Sequence, residues 1–235
     1  MKKTLLLLAL AAFTAQAQAQ TPPPAAAPAA ATAAPADAYT SMMAATISEL
    51  MKSGEVAQLM QADAKMERAA AVAPQDWLPR YYQAYARVIA CFVTKEGEEA
   101  KDNYLDQANA ALAQARKLRA DESEVSALQA YIYQARIMVS PMTRFMAYGG
   151  KVEDALTQAQ TANPQNPRVL LLRGNNLYFR PKMVGGGPEV AKPFYDQAKV
   201  SFAAFKPASA LAPNWGERQL LGRLKQYETA TTSAQ

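Results

Sequence analysis

The chain has no histidine among its 235 residues and only one cysteine. Histidine is the commonest general base and the commonest metal ligand in proteins, so its absence removes the usual means of acid–base catalysis and metal binding. A single thiol, Cys91, can form neither an intramolecular disulfide nor a conventional zinc site. Cys91 ends an apolar helical stretch, where we expect a buried and unreactive side chain.

Carboxylates alone do not supply a convincing catalytic or metal site either. The densest acidic group lies between Glu96 and Asp102, in a polar connection that opens a helix, where the helix dipole favours acids. The serines have no partner base. We therefore predict a protein that is not an enzyme, with no cofactor and no metal site.

The first 19 residues are typical of a secretory signal peptide. Lys2 and Lys3 give a positive start, residues 4–13 form an apolar run, and the small-x-small cleavage pattern follows at residues 15–19. The apolar run is too short to span a bilayer as a stable helix, and no later stretch is apolar enough to do so. We therefore expect a periplasmic or secreted protein, without a membrane span, from which residues 1–19 are removed.

The composition changes twice after the signal peptide. Residues 20–38 consist largely of alanine and proline. The prolines block helix and the segment offers nothing large to bury, so a disordered tether is expected. Residues 39–229 are rich in Met, Leu, Tyr and mixed charge and are predicted to form one helical repeat domain. Residues 230–235 are predicted to be a disordered tail.

The charge of the chain argues against nucleic-acid binding. The formal net charge is +5, and it falls to about +3 without Lys2 and Lys3. The excess is dispersed, with no run of five or six basic residues. We expect no nucleic-acid partner, and the sequence leaves the oligomeric state open.

A short helical signature recurs four times in the predicted domain. A small residue is followed four positions later by a larger apolar residue, and three positions after that by a small or aromatic residue. The four copies are Ala62, Met66, Ala69; Ala108, Leu112, Ala115; Val152, Leu156, Ala159; and Ala198, Phe202, Phe205. Their starts are 46, 44 and 46 residues apart. A period of this size indicates one helical unit stacked several times.

A second kind of amphipathic helix precedes each of the last three signatures, so the units are helix pairs. The first helices are predicted at 76–93, 122–139 and 166–180, and the second helices at 55–72, 100–119, 150–163 and 188–206. A leading helix near 40–52 and a closing helix near 214–228 complete the stack. No segment alternates convincingly between apolar and polar residues with the two-residue period of a β-strand, so we predict an all-α fold.

These residues carry a resemblance to tetratricopeptide repeats (TPR). The small, large, small spacing followed by Pro74 or Pro164 resembles the second helix of a TPR, and Asn163-Pro164 before Leu170 and Gly174 resembles the start of the next repeat. The resemblance implies a TPR-like α-α superhelix, a right-handed solenoid of about four helix pairs with a terminal capping helix. The usual repeat has about 34 residues. We therefore expect the extra residues to lie within pairs, at 94–99, 140–149 and 181–188.

The closing portion, residues 181–216, also resembles exported repeat proteins of the Bacteroidetes type. This resemblance rests on Pro181, the glycine run 185–187, and the segment Pro213-Asn214-Trp215-Gly216. It implies an exported helical protein but no activity.

In TPR arrays the first helices line a concave face, and equivalent positions one period apart form columns along it. The resulting candidate partner-binding residues are Tyr85, Tyr131, Gln134, Arg168, Asn175 and Tyr178. Tyrosine rings supply contact area at low entropic cost, while amides and guanidinium groups can bond to an extended backbone. The alternative is that the tyrosines fill the core between the helices.

Three functions remain open at this stage. The leading prediction is an exported, non-enzymatic scaffold or adaptor that binds a protein or peptide on its concave face. The first alternative is a periplasmic small-ligand-binding helical repeat protein associated with transport, in which the solenoid curls around a cavity. The second is a structural envelope protein, to which the Pro/Ala-rich tether gives reach.

Overall fold

The computed structural model describes residues 35–233 of the chain. This part contains nine α-helices and one short 3-10 helix, Lys182–Val184, and no β-strand. The helices are α1 (Pro35–Lys52), α2 (Val56–Val72), α3 (Leu78–Val93), α4 (Glu98–Lys117), α5 (Glu122–Val139), α6 (Pro141–Ala162), α7 (Pro167–Phe179), α8 (Pro188–Ala204) and α9 (Glu217–Ser233). The prediction of an all-α fold is confirmed. The predicted signal peptide and most of the predicted tether lie outside the described residues.

The helices form four consecutive pairs followed by α9. Each helix from α1 to α8 packs against the next along the chain, and α9 packs against α8. The first helices of the pairs also contact one another, because α3 touches both α1 and α5, and α5 touches α7. They therefore form a continuous layer, on which the second helices α2, α4, α6 and α8 pack. In residues 35–233 no helix is both long and apolar enough to cross a membrane.

The recurring signature forms the contact between the two helix layers. In α4, the side chains of Ala108, Leu112 and Ala115 are essentially buried, and the corresponding residues of α2 and α6 are buried in the same way. Small residues on either side of a larger one let neighbouring helices approach closely while the larger side chain fills the gap. Burying one such leucine contributes about 1.5–3 kcal/mol to the free energy of unfolding.

Three helices, α1, α6 and α9, extend beyond their expected bounds. Residues 141–149, expected to be a connection, are the first turns of α6, and Pro141 stands at its start, where a missing N–H costs nothing. The buried residues of α6 begin only at Val152, so its first turns pack little and have no apolar periodicity. At the chain ends, α1 begins at Pro35, inside the segment expected to be tether, and α9 continues to Ser233.

The extra residues between α7 and α8 form a tight turn that fixes the end of α7. Gly187 donates its N–H to the carbonyl of Leu177, with an N···O distance of 2.8 Å. A Cβ at Gly186 would lie 2.2 Å from the carbonyl oxygen of Arg180, so only glycine fits. The turn thereby sets the position of Arg180 at the end of the first-helix layer.

Candidate functional site

A cavity with a volume of about 630 Å³ lies on the first-helix layer. It is lined by α1, α3, α5, α7 and α9, by one residue of α6, and by the segment before α9. This volume is within the range of pockets that bury small organic ligands. We therefore treat it as the candidate binding site.

The lining is largely aromatic and aliphatic, with amides and three arginines. The aromatic residues are Tyr85, Phe92, Tyr131, Phe145, Phe179 and Trp215. The aliphatic and thioether residues are Leu50, Met51, Ile89, Val93, Ile137 and Met138. The polar and basic residues are Ser53, Gln134, Asn175, Asn176, Arg180, Asn214, Arg218, Gln219 and Arg223, together with the backbone of Gly216. No Asp or Glu of residues 35–233 is among them.

Four of the aromatic rings form a continuous row across the cavity. Trp215 lies between Tyr85 of α3 and Tyr131 of α5, with ring centroids 5.3 and 5.5 Å apart, and it is nearly parallel to Tyr131 at 11°. Phe92 follows beyond Tyr131 at 5.2 Å. We call these four residues the aromatic row. The spacings are typical of favourable ring contacts, so the four rings pack on one another while they line the cavity.

Buried polar contacts hold Trp215 in the row. Its indole Nε1–H donates to the hydroxyl of Tyr81, with an N···O distance of 2.7 Å. The next residue, Gly216, has φ +109°, and a Cβ there would lie 2.8 Å from the ring of Phe202. The chain therefore turns sharply between Trp215 and α9 while the indole points into the first-helix layer.

A buried ion pair lies behind Trp215. The side chain of Arg168 is fully buried, donates to Glu124 at 3.1 Å and to the carbonyl of Pro213, and places its guanidinium 5.5 Å from the Trp215 ring. Glu124 also accepts hydrogen bonds from Tyr81 and Asn166. Burial raises the pKa of the Glu124 carboxyl, although the Arg168 charge acts in the opposite direction. These contacts join α5 and α7 to the segment that carries Trp215.

The two tyrosines of the aromatic row remain neutral phenols. Burial raises the pKa of Tyr85 and of Tyr131 well above the usual value near 10. The Tyr131 hydroxyl accepts a hydrogen bond from Gln219 of α9 at 3.2 Å. Both side chains therefore act through their rings and neutral hydroxyls.

The basic residues lie at the α7 and α9 side of the cavity. The Arg223 guanidinium stands over the rings of Tyr178 and Phe179, 4.2 and 5.0 Å from their centroids, and donates to Gln226. Arg218 donates to the carbonyl of Met51. Neither Arg218 nor Arg223 forms an ion pair within the described part of the chain.

The candidate residues named from the sequence fall into two groups. Tyr85, Tyr131, Gln134 and Asn175 line the cavity. Arg168 lies behind Trp215, and Tyr178 lies beneath Arg223, packed against Tyr195 and Tyr227. The amides of Gln134 and Asn175 are already bonded, to the Leu172 carbonyl and the Tyr195 hydroxyl, at 2.7 and 2.9 Å.

Several residues that line the cavity were not predicted from the sequence. Trp215, noted in the sequence only as part of the motif Pro213-Asn214-Trp215-Gly216, inserts into the first-helix layer. Arg218 and Arg223 were not singled out, because the repeat period says nothing about where the closing helix docks. Phe92 lies within the repeat, near the end of α3, and was not singled out either. The one available signal is a tryptophan followed by glycine just before a helix, which indicates a large side chain fixed at a sharp turn.

Metal-binding groups are scarce at the site. Residues 35–233 contain no group of three or more His, Cys, Asp or Glu side chains that could hold a metal ion. Cys91 is buried and does not line the cavity. The cavity does contain two thioethers, from Met51 and Met138.

Comparison with protein-family models and with curated proteins gives no match. Among solved structures, the chain is similar to the HusA haemophore from Porphyromonas gingivalis. The similarity has a TM-score of 0.74 and 31% sequence identity, and it covers 84% of this chain and 96% of that chain.

Proposed function

The chain belongs to the family of the HusA haemophore, and from this premise we propose that it binds and carries a haem-type porphyrin in the cavity of the first-helix layer. The observation that carries the proposal is the aromatic row inside a cavity of about 630 Å³. A porphyrin is a flat apolar ring, and a cavity lined by aromatic and aliphatic side chains is the kind of surface that such a ligand packs against. Haem is here a cargo that the protein binds and releases.

The mode of binding follows from the side chains that line the cavity. The chain has no histidine, and Cys91 is directed elsewhere. Burial raises the pKa of Tyr85 and Tyr131, so the phenolate form that would bind iron is disfavoured. We therefore expect ring contacts to dominate affinity, with the thioethers of Met51 and Met138 as the remaining side-chain ligands for iron.

Ligand binding of this kind corresponds to the small-molecule alternative from the sequence more closely than to the adaptor. A peptide would need an open concave face, but α9 and Trp215 occupy part of it, with Trp215 held between Tyr85 and Tyr131. The helix pairs keep the TPR-like phasing of small and large residues, and a degenerate TPR-like solenoid is part of the proposal. So is export, with residues 1–19 as the signal peptide and the residues between the signal peptide and α1 as a tether.

Titration with haemin tests the proposed function. The chain from residue 20 should give a saturable change in the Soret band and quench Trp215 fluorescence. Phe92 is 38% exposed at one end of the aromatic row. Replacing it in Phe92→Ala should weaken binding about ten-fold, because one ring contact and its buried area are lost.

The matched control is Val72→Ala, which truncates an exposed residue of α2 outside the cavity. It should leave the Kd unchanged. Failure of the unaltered chain to bind haemin saturably would contradict the proposed function. Equal affinities of the Phe92→Ala and unaltered chains would contradict the role of the aromatic row.

Metal-free protoporphyrin IX distinguishes ring contacts from iron coordination. If the aromatic row carries the affinity, its Kd should lie within about three-fold of that of haemin, which corresponds to less than 1 kcal/mol. A Kd for haemin that is lower by a hundred-fold would contradict this mode of binding and assign an iron ligand to the cavity. Met51→Leu and Met138→Leu would then identify it.

A further inference from the structure

Three methionine side chains of residues 35–233 stand almost fully in solvent. Met142 is 95% exposed, Met183 91% and Met146 88%, and the next most exposed large apolar side chain, Val72, reaches 73%. Side chains that leave so much of their surface in water add little to the free energy of unfolding. Packing therefore does not account for methionine at these three positions.

All three methionines lie beside one end of the cavity. Met142 and Met146 stand on the first turns of α6, on either side of Phe145, which lines the cavity. Met183 closely follows Arg180, which lines the cavity as well. The Arg180 guanidinium lies 6.0 Å from the centroid of the Phe145 ring, so the two segments meet at this point.

The cavity is open to solvent at the same end. Two of its lining residues there, Phe179 and Met138, are 52% and 42% exposed. Met51, the other thioether of the lining, is half-buried, whereas Met43 and Met66 of the core are fully buried. Solvent access to the thioethers thus falls in steps, from the surface around the opening, through the cavity wall, to the core.

Solvent access decides how readily a thioether is oxidised. Hypohalous acids and hydroperoxides convert methionine to its sulfoxide, and methionine sulfoxide reductases reverse the change. With hypochlorous acid, the sulfur gives up two electrons and gains the oxygen atom, while chloride and a proton leave. With a hydroperoxide, the O–O bond breaks and an alcohol or water leaves. In both reactions an apolar side chain becomes polar without a change of charge.

We propose that Met142, Met146 and Met183 are oxidation sites that consume hypohalous acids and hydroperoxides at the opening of the cavity and so keep the Met138 thioether reduced. A sulfoxide on any of the three projects into water and leaves the cavity unchanged. A sulfoxide on Met138 instead puts a polar group into the apolar lining. The oxidation sites stand independently of the proposed function, whereas the benefit to ligand binding rests on it.

Limited oxidation followed by peptide mass spectrometry tests the assignment of the sites. The chain from residue 20 is treated with about one equivalent of hypochlorous acid per chain, so that the thioethers compete for the oxidant. Met142, Met146 and Met183 should carry most of the sulfoxide, and Met43 and Met66 should stay reduced. Sulfoxide spread evenly over all the methionines, or found first on Met138, would overturn the inference.

A triple variant tests the protection of Met138. Met142→Leu, Met146→Leu and Met183→Leu together remove the three exposed thioethers and keep apolar side chains of similar size. At the same dose of oxidant, the sulfoxide on Met138 should rise about three-fold, because the remaining thioethers share a limiting reagent. Met42→Leu, which removes a less exposed thioether of α1 outside the cavity, is the matched control and should change Met138 little. Equal oxidation of Met138 in the triple variant and the unaltered chain would overturn the inference.

Haemin titration of the treated proteins connects the sites to ligand binding. The treated unaltered chain should keep its Kd, and the treated triple variant should lose affinity in proportion to the sulfoxide on Met138. Adding Met138→Leu to the triple variant should make its Kd insensitive to the oxidant. An unchanged Kd for a triple variant whose Met138 is oxidised would overturn the protective role. If haemin does not bind the untreated chain, the proposed function fails, and the peptide analysis alone decides the oxidation sites.

Discussion

The two faces of the first-helix layer bury very different side chains. Between the layers, α2, α4 and α6 present the small, large, small signature, and the buried side chains are almost all aliphatic. On the other side of the first helices lie rings, amides, a fully buried Arg168 and a cavity. The face toward the second helices offers only apolar packing. The opposite face combines packing with polar groups that are held in fixed positions.

This difference predicts that stability and ligand binding are separable. Substitutions between the layers should change the free energy of unfolding and leave the ligand affinity alone. Substitutions behind the aromatic row should change both, because the same contacts that stabilise the fold also position Trp215.

The largest effect is expected from Arg168→Met. The variant leaves Glu124 buried without its cation and removes the cationic contact from Trp215. Removing one partner of a buried pair lowers the free energy of unfolding by about 3–5 kcal/mol. Urea denaturation followed by circular dichroism measures this loss, and haemin titration should show weaker binding.

The double variant Arg168→Met, Glu124→Leu is the control for the unpaired charge. It should recover much of the lost stability, because no charge remains buried, yet haemin binding should stay weaker than in the unaltered chain. Full recovery of affinity in the double variant would show that the ion pair does not position Trp215.

A slightly smaller loss of stability is expected from Leu112→Ala between the layers. The side chain is 1% exposed, and truncation leaves a cavity that costs about 3 kcal/mol. Haemin affinity should match that of the unaltered chain under conditions where the variant is fully folded. A parallel loss of affinity would show that the two helix layers are coupled.

The smallest effect is the pH dependence of the free energy of unfolding, which comes from tyrosines of the first helices. Burial raises the pKa of Tyr81 and Tyr131 well above the value near 10 that the unfolded chain has. Since the folded state holds these protons more tightly, their contribution to stability is complete below about pH 10 and is lost as the pH rises above it. The expected loss is about 1.4 kcal/mol per pH unit for each tyrosine.

Urea denaturation at several pH values between about 9 and 11.5 measures this slope. The absorbance of tyrosinate should rise with unfolding for these two residues. Ionisation of all the tyrosines before any loss of helical circular dichroism would contradict the prediction.

Much of the fold could be predicted because it depends on local periodicity. The positions of Ala62, Ala108 and Val152 place three second helices, and proline marks where one pair ends and the next begins. The connection expected at residues 140–149 is instead the start of α6. Its first turns bury little, so they have no apolar stripe by which a helix could be recognised.

Only those site residues that recur with the repeat period could be predicted from the sequence. Tyr85 and Tyr131 lie one period apart on neighbouring first helices, so they share a face and both line the cavity. Arg168 was placed on that face too, but its long side chain turns inward to meet Glu124. The direction of a long, flexible side chain such as that of Arg168 depends on the groups it bonds to. Those groups lie on other helices, so the repeat period does not predict them.

The amino-acid sequence by itself determined the all-α class, the pairing of helices and the absence of histidine chemistry, because each depends on spacing or composition alone. Only the tertiary structure decided that Trp215 enters the first-helix layer and that Arg218 and Arg223 line the same cavity. These residues lie far along the chain from Tyr85, and periodicity carries no information about a segment that breaks the repeat. Their positions follow from the buried contacts of Tyr81 and Arg168, both bonded to Glu124, with the segment before α9. These contacts form only when the whole stack has assembled.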